Sequence, residues 1–431
     1  MEVTVENLNS VKKILHIEIP EDVVVRELDL AYKNLKKTAK IKGYRPGKAP
    51  RSVLERLFKK SVHSDVSSKL LQDSLVDAIR KNELKIVGTP QIDPPELDAK
   101  GPYKYDATVE VTPEIGDIDF KGLNLKKTLY KISDEEINAQ LKMLQKNLAQ
   151  LKTIEEDRSL KEGDFVLIDY EGFKDGKPFA ETQKTENFTL EIGKGKIAKE
   201  FDEQLIGMKK GDIREININF PEDYSNKNLA NLDISFQVKL NEIREEVLPE
   251  INDEFAKELG NYKTLNELKG VITDNVKQGY DKRTEQELSE QIFSALIAKN
   301  DFEVPDVMAE YELDSIVAEV ERSLAYSNRS MEQTGLTKEG IKEKYRDTAV
   351  KQVKRHLILD RIMDQEKLIL ADENLEKGFK DMSKTFGKPV DEIKDFYNEN
   401  NDNLELLKNT LLEKQTVKFI IDNSNIEDVE P

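Results

Sequence analysis

Two incompatible hydrophobic periods divide this chain. Between Gly163 and Leu240 apolar residues recur at every second position: Val166, Ile168 and Tyr170; Phe188, Leu190 and Ile192; Ile216, Ile218 and Phe220; Ile234, Phe236, Val238 and Leu240. A period of two lines one face of a strand. Beyond Pro249 the alternation stops. Residues 252–431 repeat apolar positions three and four apart, as in Leu288, Ile292 and Leu296 or Val317, Val320 and Leu324. A sheet cannot continue into a segment of helical period, so these two regions need separate cores. Asp175-Gly176 marks a tight turn between strands, and Phe201 and Leu205, four apart, mark one short helix among them. The pattern predicts a strongly curved antiparallel sheet around one short helix over about 160–245.

The first stretch mixes both periods. Leu15, Ile17 and Ile19 alternate, Pro20 opens a helix bearing Val24, Leu28, Ala31 and Leu35, and Gly43 to Pro50 breaks it. Val53, Leu54, Leu57 and Phe58 start a second helix, and Leu71, Leu75 and Ile79 indicate a third. Tyr105, Ala107, Val109 and Val111 form a closing strand ended by Pro113. Ile137, Leu141, Leu144, Leu148 and Leu151 repeat at helical spacing and predict a tether helix. The expected class is multidomain α+β: a small α+β domain over 1–112, a linker with a tether helix packing with the C-terminal domain over 113–158, the curved sheet over 159–246, and a large all-helical domain over 247–431. The acidic tail from Asp422 reads as a frayed end.

Composition removes several chemistries. Among 431 residues there is no Cys, which excludes disulfides, thiolate zinc sites and a Cys nucleophile. The three His (His16, His63 and His356) are too far apart in sequence to suggest a metal site or relay, so no metal and no cofactor is expected. No apolar run reaches the roughly 18–20 residues of a membrane span, so no membrane partner is expected. Met1 to Glu6 lacks a basic-then-apolar leader pattern, and the expected location is cytoplasmic. Paired acids such as Glu135-Glu136 and Glu245-Glu246 read as solvated faces.

Charge is unevenly spread. The whole chain carries a net charge of −18, yet residues 1–112 hold 20 basic and 17 acidic residues, net +3, leaving −21 for the rest. Residues 33–60 hold eleven Lys or Arg and one acid, Glu55. Within this basic run lies Gly43-Tyr44-Arg45-Pro46-Gly47-Lys48-Ala49-Pro50. Two Gly and two Pro define a tight inter-helix loop that presents its side chains. An exposed aromatic flanked by cations suits a phosphate backbone with stacking or protein contacts beside it. An ordinary turn with solubilising charges fits the same residues, and on physics alone both readings stand.

The octapeptide resembles the Gly-Phe-Arg-x-Gly-Lys-x-Pro ribosome-binding signature of the trigger factor family of bacterial ribosome-associated chaperones. Tyr44 replaces the usual Phe, and Pro46 stands where some members carry a second basic residue. The order of a small α+β domain, a curved sheet and a large helical region matches as well. Phe302-Glu303-Val304-Pro305 and the closing Ile426-Glu427-Asp428-Val429-Glu430 also look like family features. The resemblance implies that 1–112 is a ribosome-binding domain. Tyr44, Arg45, Gly47 and Lys48 would meet the protein and RNA of the large ribosomal subunit near the tunnel exit. Unfolded nascent polypeptides would be cradled by the helical domain, and a weak homodimer is allowed. No ATP site is visible, so release would follow client folding and mass action.

The middle segment resembles an FKBP-like peptidyl-prolyl isomerase domain. Gly163-Asp164, Asp169-Tyr170-Glu171-Gly172 and Asp175-Gly176-Lys177-Pro178-Phe179 follow that family's opening strands. The resemblance places Tyr170, Phe179, Phe188, Ile197, Phe201, Tyr224 and Phe236 in the catalytic pocket. Rotation about an X–Pro bond has a barrier of about 18–20 kcal/mol because amide resonance is lost. An apolar aromatic pocket that desolvates the carbonyl favours the twisted amide without nucleophile or metal. The same aromatics also continue apolar strand faces, so core and pocket floor can coincide. Ala180 stands where the family usually carries an acid, and Ala198 and Glu200 replace a larger apolar residue and a Gly, so reduced isomerase activity is expected. Gly193-Lys194-Gly195-Lys196 lacks the Gly-Lys-Ser/Thr ending of a phosphate loop. Two other readings remain: a stand-alone prolyl isomerase with substrate-binding helical arms, and a basic-domain RNA-binding protein.

Overall fold

A computed structural model describes residues 1–431 apart from Pro46, Ala99, Asp223, Ser225 and Asn328. The chain forms two compact units, Met1–Leu129 with Thr284–Pro431, and Tyr130–Arg283. In chain order the first unit begins with β1 (Glu2–Asn7), β2 (Lys12–Ile19), α1 (Glu21–Thr38), α2 (Arg51–Lys81), β3 (Ile86–Ile92), β4 (Tyr103–Val111) and β5 (Asn124–Thr128). The second unit follows with α3 (Asp134–Asn147), β6 (Gln150–Thr153), β7 (Phe165–Lys174), β8 (Lys177–Pro178) and β9 (Thr185–Glu191). It continues with α4 (Lys199–Leu205), β10 (Ile213–Asn219), β11 (Asp233–Val247) and α5 (Asp253–Leu259). Helix α6 (Leu265–Lys299) has its first half in the second unit and its second half in the first. The first unit resumes with α7 (Asp306–Tyr326), α8 (Met331–Thr334), α9 (Lys338–Glu366), α10 (Asp372–Phe386), α11 (Val390–Asn398), α12 (Asn401–Asp422) and β12 (Asn425–Val429). The class is multidomain α+β, as the two periods require.

In the first unit an antiparallel sheet runs β1-β2-β4-β3. Leu15, Ile17 and Ile19 from β2 and Tyr105, Ala107 and Val109 from β4 meet Val24 and Leu28 of α1 and Leu54, Val66 and Leu70 of α2 in one core. Where two helices were expected over 53–79 there is one, the 31-residue α2. Its buried face runs Leu54, Val62, Val66, Leu70, Ser74 and Ala78, in steps of four or eight. The Ser74 hydroxyl donates to the Leu70 carbonyl at 2.6 Å and meets the Tyr105 hydroxyl at 2.7 Å. A satisfied serine thus interrupts the apolar pattern without interrupting the helix.

The helices of the first unit close around the segment following β4. Ile118, Phe120, Leu123 and Leu125 are buried with Leu288, Ile292 and Leu296 of α6, Ile358, Leu359 and Ile362 of α9, and Ile420 of α12. A smaller core of Phe379, Ile393 and Leu407 joins α10, α11 and α12. The tail is no frayed end. Strand β12 pairs in parallel with β5, Ile426 opposite Leu125 and Val429 opposite Thr128. On β5 the Gln291 side chain accepts from Lys126 N and donates to Lys126 O, both at 2.8 Å. Acidic composition suggested fraying, but backbone pairing is indifferent to side-chain charge.

In the second unit the central strands run β10-β11-β7-β8, with β6 added to β11 and β9 to β7. The 15-residue β11 is long enough to pair with β10, β7 and β6 along its length. Phe201 and Leu205 of α4, both fully buried, join Val166, Ile168, Leu190, Ile216, Phe236, Val238 and Leu240 in one core. This is the curved sheet around a short helix. Helix α3 opens with a capping box in which Ser133 and Glu136 satisfy each other's backbone N–H groups. It was expected to run to Leu151 but ends at Asn147, because Gln150–Thr153 turns into β6 and pairs with Arg244–Val247. Leu141 of α3 packs with Phe255, Ala256, Leu268 and Ile272 of α5 and α6.

Candidate functional site

The basic loop lies between α1 and α2. Gly43 and Gly47 take φ of +92° and +80°, and a Cβ on either would meet nothing within 4 Å. Backbone handedness rather than space therefore requires glycine there. Tyr44 N donates to Ile41 O at 3.0 Å and Lys48 N to Arg45 O at 2.9 Å, making two successive turns. Ala49 is buried and Pro50 caps α2, so the loop is pinned at its downstream end. Tyr44, Arg45 and Lys48 are exposed and Gly47 is half-buried. Pro46 lies outside the described residues.

The surrounding charge is largely uncommitted. Arg51 pairs with Asp29 and with Glu55, and its guanidinium lies 4.9 Å from the Tyr32 ring centroid. Among the described ion pairs, the other ten cations of residues 33–60 take no part. A structural role explains Arg51 and leaves the rest facing solvent. Such a surface raises the local concentration of anions.

Six aromatic residues of the second unit, Tyr170, Phe188, Phe201, Phe220, Tyr224 and Phe236, form one connected cluster. Tyr170 meets Phe188 edge-on at 5.4 Å and Phe236 at 6.1 Å, and Phe236 meets Phe201 at 5.5 Å and Phe220 at 6.4 Å. Tyr224 packs on Phe220 at 4.7 Å, and its hydroxyl donates to the Ile197 carbonyl at 2.6 Å. Burial pushes the Tyr224 hydroxyl above its ordinary pKa. The seven expected pocket residues divide by exposure. Phe201 and Phe236 are 0% and 1% exposed and are core, forming the floor of the cluster. Tyr170, Phe179, Phe188, Ile197 and Tyr224 are half-buried around that core and form the accessible walls. Ala180 and Glu200 are exposed and Ala198 is half-buried at the start of α4.

Sequence reading missed two supports. Asp202 is 2% exposed, and its Oδ2 accepts from Gly193 N at 2.9 Å and Gly195 N at 2.8 Å. The N–H groups that a phosphate would need in Gly193–Lys196 are thus committed to a carboxylate. An acid directly after Phe201, on the buried side of a short helix, was the available signal. Gly172, which closes the Asp169-Tyr170-Glu171-Gly172 motif, is the second. A Cβ there would stand 2.1 Å from Thr182 Oγ1 and 3.1 Å from Phe236 Cε1, so the absence of a side chain lets the turn at Thr182 close over the aromatic floor.

Comparison with known proteins covers most of the chain. The family model described as bacterial trigger factor protein matches residues 1–144, and its C-terminus counterpart matches residues 264–422. Between them, residues 156–241 match FKBP-type peptidyl-prolyl cis-trans isomerase. The trigger factor of Desulfatibacillum aliphaticivorans is 50% identical over 431 residues, covering 100% of this chain and 98% of the relative. That of Desulfosudis oleivorans is also 50% identical, covering 100% and 97%. That of Geobacter sulfurreducens is 34% identical over 425 residues, covering 99% and 98%. A solved structure, from work on promiscuous substrate recognition in folding and assembly by the trigger factor chaperone, superposes with a TM-score of 0.50 over 98% of this chain and 99% of that one. At 21% identity it speaks for the fold alone. Three family segments in the right order, together with end-to-end identity to several relatives, establish that the chain belongs to the trigger factor family.

Proposed function

We propose that this chaperone docks on the large ribosomal subunit near the tunnel exit and shields nascent polypeptides as they emerge. The observation that carries this reading is the loop itself: an exposed Tyr44 between turns fixed by Gly43 and Gly47, in a stretch whose cations other than Arg51 take no part in the described ion pairs. Tyr44, Arg45, Gly47 and Lys48 make the contact, with phosphate neutralised by the flanking lysines. In functional terms the chain divides into 1–112 for docking, 113–158 as linker and tether, 159–246 for prolyl isomerisation and 247–431 for client binding. Exposed apolar residues of the helical region supply a loose client surface, among them Tyr326 at 85%, Ile369 at 81% and Leu406 at 68% exposure. Clients leave by folding rather than by nucleotide hydrolysis, the site of action is the cytoplasm, and off the ribosome a weak homodimer forms.

Co-sedimentation with ribosomes tests this reading. The intact chain should pellet with ribosomes at low salt and progressively less as salt rises, and a Tyr44→Ala/Arg45→Ala/Lys48→Ala variant should stay in the supernatant. Undiminished pelleting of that variant would leave the stand-alone isomerase as the better reading. Equal competition by free RNA and by whole ribosomes would favour the RNA-binding one.

The aromatic cluster twists X–Pro bonds. Phe201 and Phe236 hold the floor while Tyr170, Phe179, Phe188, Ile197 and Tyr224 enclose the prolyl ring and desolvate its carbonyl. Turnover is low, because Ala180 offers no group to polarise the amide and Ala198 and Glu200 alter the start of α4. A prolyl-peptide assay should therefore give a higher rate for Ala180→Asp than for the unaltered chain; equal rates would clear Ala180 of any role.

A further inference from the structure

Arg51 stands at the wrong end of its helix. It is the first residue of α2, directly after the capping Pro50, and the first turn of α2 holds no acid. A helix N-terminus favours carboxylates and disfavours a cation. The compensation comes from both helices that flank the loop. Arg51 Nε donates to Glu55 Oε1 at 2.7 Å within α2, and Nη1 donates to Asp29 of α1. The guanidinium also lies 4.9 Å from the ring centroid of Tyr32, which is 3% exposed in the core that takes Ala49 and Leu54. Helix α1 runs unbroken to Thr38, so tying Asp29 and Tyr32 to the start of α2 fixes the span that residues 39–50 must bridge. The other cations of residues 33–60 take no part in the described ion pairs.

We propose that Arg51 is a positioning residue for docking: by holding α1 against the first turn of α2 it keeps Tyr44, Arg45 and Lys48 in the arrangement that meets the ribosome, without itself neutralising a phosphate. The inference rests on that loop being the docking site. With Nε and Nη1 engaged and its face beside Tyr32, the Arg51 guanidinium is already committed within the protein. Exposed ion pairs contribute little one by one, so the effect falls on the order of the loop and on affinity rather than on the melting of the domain.

Two measurements on the full chain test this. Amide exchange at Tyr44 and Lys48, whose N–H groups close the two turns, reads loop order in the free protein, and ribosome binding across a salt series reads docking. Asp29→Ala separates position from charge by sign. It leaves Arg51 in place and makes the face more basic, so simple attraction gives tighter binding. Loss of position instead gives faster exchange at both amides and binding about three- to ten-fold weaker, which is the expected result. Arg51→Gln should weaken binding to a similar extent while leaving the slope of log affinity against log salt unchanged. Lys48→Gln should lower that slope by about 0.7–0.9. Lys69→Gln removes the same charge and breaks a 2.8 Å tie from further along α2 to Glu27 of α1, and it should change neither the loop amides nor affinity. Tighter or unchanged binding of Asp29→Ala, a reduced salt slope in Arg51→Gln, unchanged loop exchange in both, or an equal loss in Lys69→Gln overturns the proposal. If the intact chain binds no ribosomes while Asp29→Ala and Arg51→Gln still quicken the loop amides, the docking reading fails and the positioning of the loop by Arg51 stands.

Discussion

Gly172 is the residue on which the aromatic floor most depends. An added methyl would lie 2.6 Å from Thr182 Cβ as well as 2.1 Å from its hydroxyl oxygen, and Thr182 is 7% exposed with nowhere to retreat. Gly172→Ala should cost the second unit about 1–3 kcal/mol by overpacking, visible as a lower denaturant midpoint for loss of its aromatic signals. An unchanged midpoint would mean that the turn at Thr182 yields freely. A second residue reports on pH. His16 sits between Asp106, 2.7 Å from Nδ1, and Glu6, 3.0 Å from Nε2. Hydrogen bonding first to Asp106 and then to Glu6 raises its pKa above the ordinary value, so folding favours the protonated ring more than the unfolded chain does. Its contribution is complete below the unfolded value of about 6.5 and disappears as pH rises through the folded value. The melting-temperature gap between the unaltered chain and His16→Gln should therefore be widest in acid and close in alkali. At this scale, exposure was legible from the sequence and support was not. Tyr44 and Lys48 announced themselves through flanking Gly and Pro, whereas Asp202 and Gly172 act on groups across intervening turns that periodicity does not place.

Elements were legible wherever periodicity and local turn chemistry agreed. Strands β7, β9, β10 and β11 of the second unit and the short α4 were foreseen because alternation and the Asp175-Gly176 turn point the same way, whereas β6 was read as the end of α3. Two failures share one cause, an element carried through a stretch of polar side chains. Helix α2 was divided on paper between Phe58 and Leu71, where Lys59, Lys60, His63, Ser64 and Asp65 obscure the buried face that Val62 and Val66 continue. Strand β12 was lost among acids although its backbone pairs with β5 over five positions. That pairing is open to test. A two-stranded sheet has little stability of its own, but here Leu125 is buried at 2% exposure and Gln291 binds β5 at Lys126. Removing residues 425–431 deletes the backbone partners of β5 but leaves Leu125 and Gln291 in place. Amide exchange at β5 should quicken by at least about tenfold, in line with the loss of hydrogen bonds worth about 0.5–1.5 kcal/mol each. The amides of β2 and β4, which belong to a different sheet, should keep their protection. Unaltered exchange at β5 would show that Gln291 and the core beneath are sufficient.

At the scale of the whole molecule the question is which unit holds the client surface. The five most exposed large apolar residues, Tyr326, Ile369, Tyr311, Leu406 and Phe386, belong to the first unit, as does Phe396, while Ile213 and Met143 are the most exposed of the second. The sheet of the second unit instead turns its apolar face inward around Phe201 and Phe236. Its ends also allow clean removal. Gln150 and Val247 are register partners of β6 and β11, so the chain enters and leaves this sheet side by side. A cut inside β11 would strand β6 without a partner, whereas excising 150–247 removes both. Leu141, Phe255, Ala256, Leu268 and Ile272, which pack α3 with α5 and α6, lie outside the excised stretch and keep one another buried. Replacing 150–247 by a short Gly-Ser bridge should therefore leave a folded chain that still delays aggregation of an unfolded protein, at a molar ratio within about two- to three-fold of the intact chain. The same variant should lose all isomerisation of prolyl peptides, since every aromatic of that cluster is gone. Light scattering and the peptide assay on one preparation read both outcomes. A folded variant that protects nothing would move the client surface out of the helical arms and onto the excised sheet, and the exposed aromatics of α7, α10 and α11 would then need another partner.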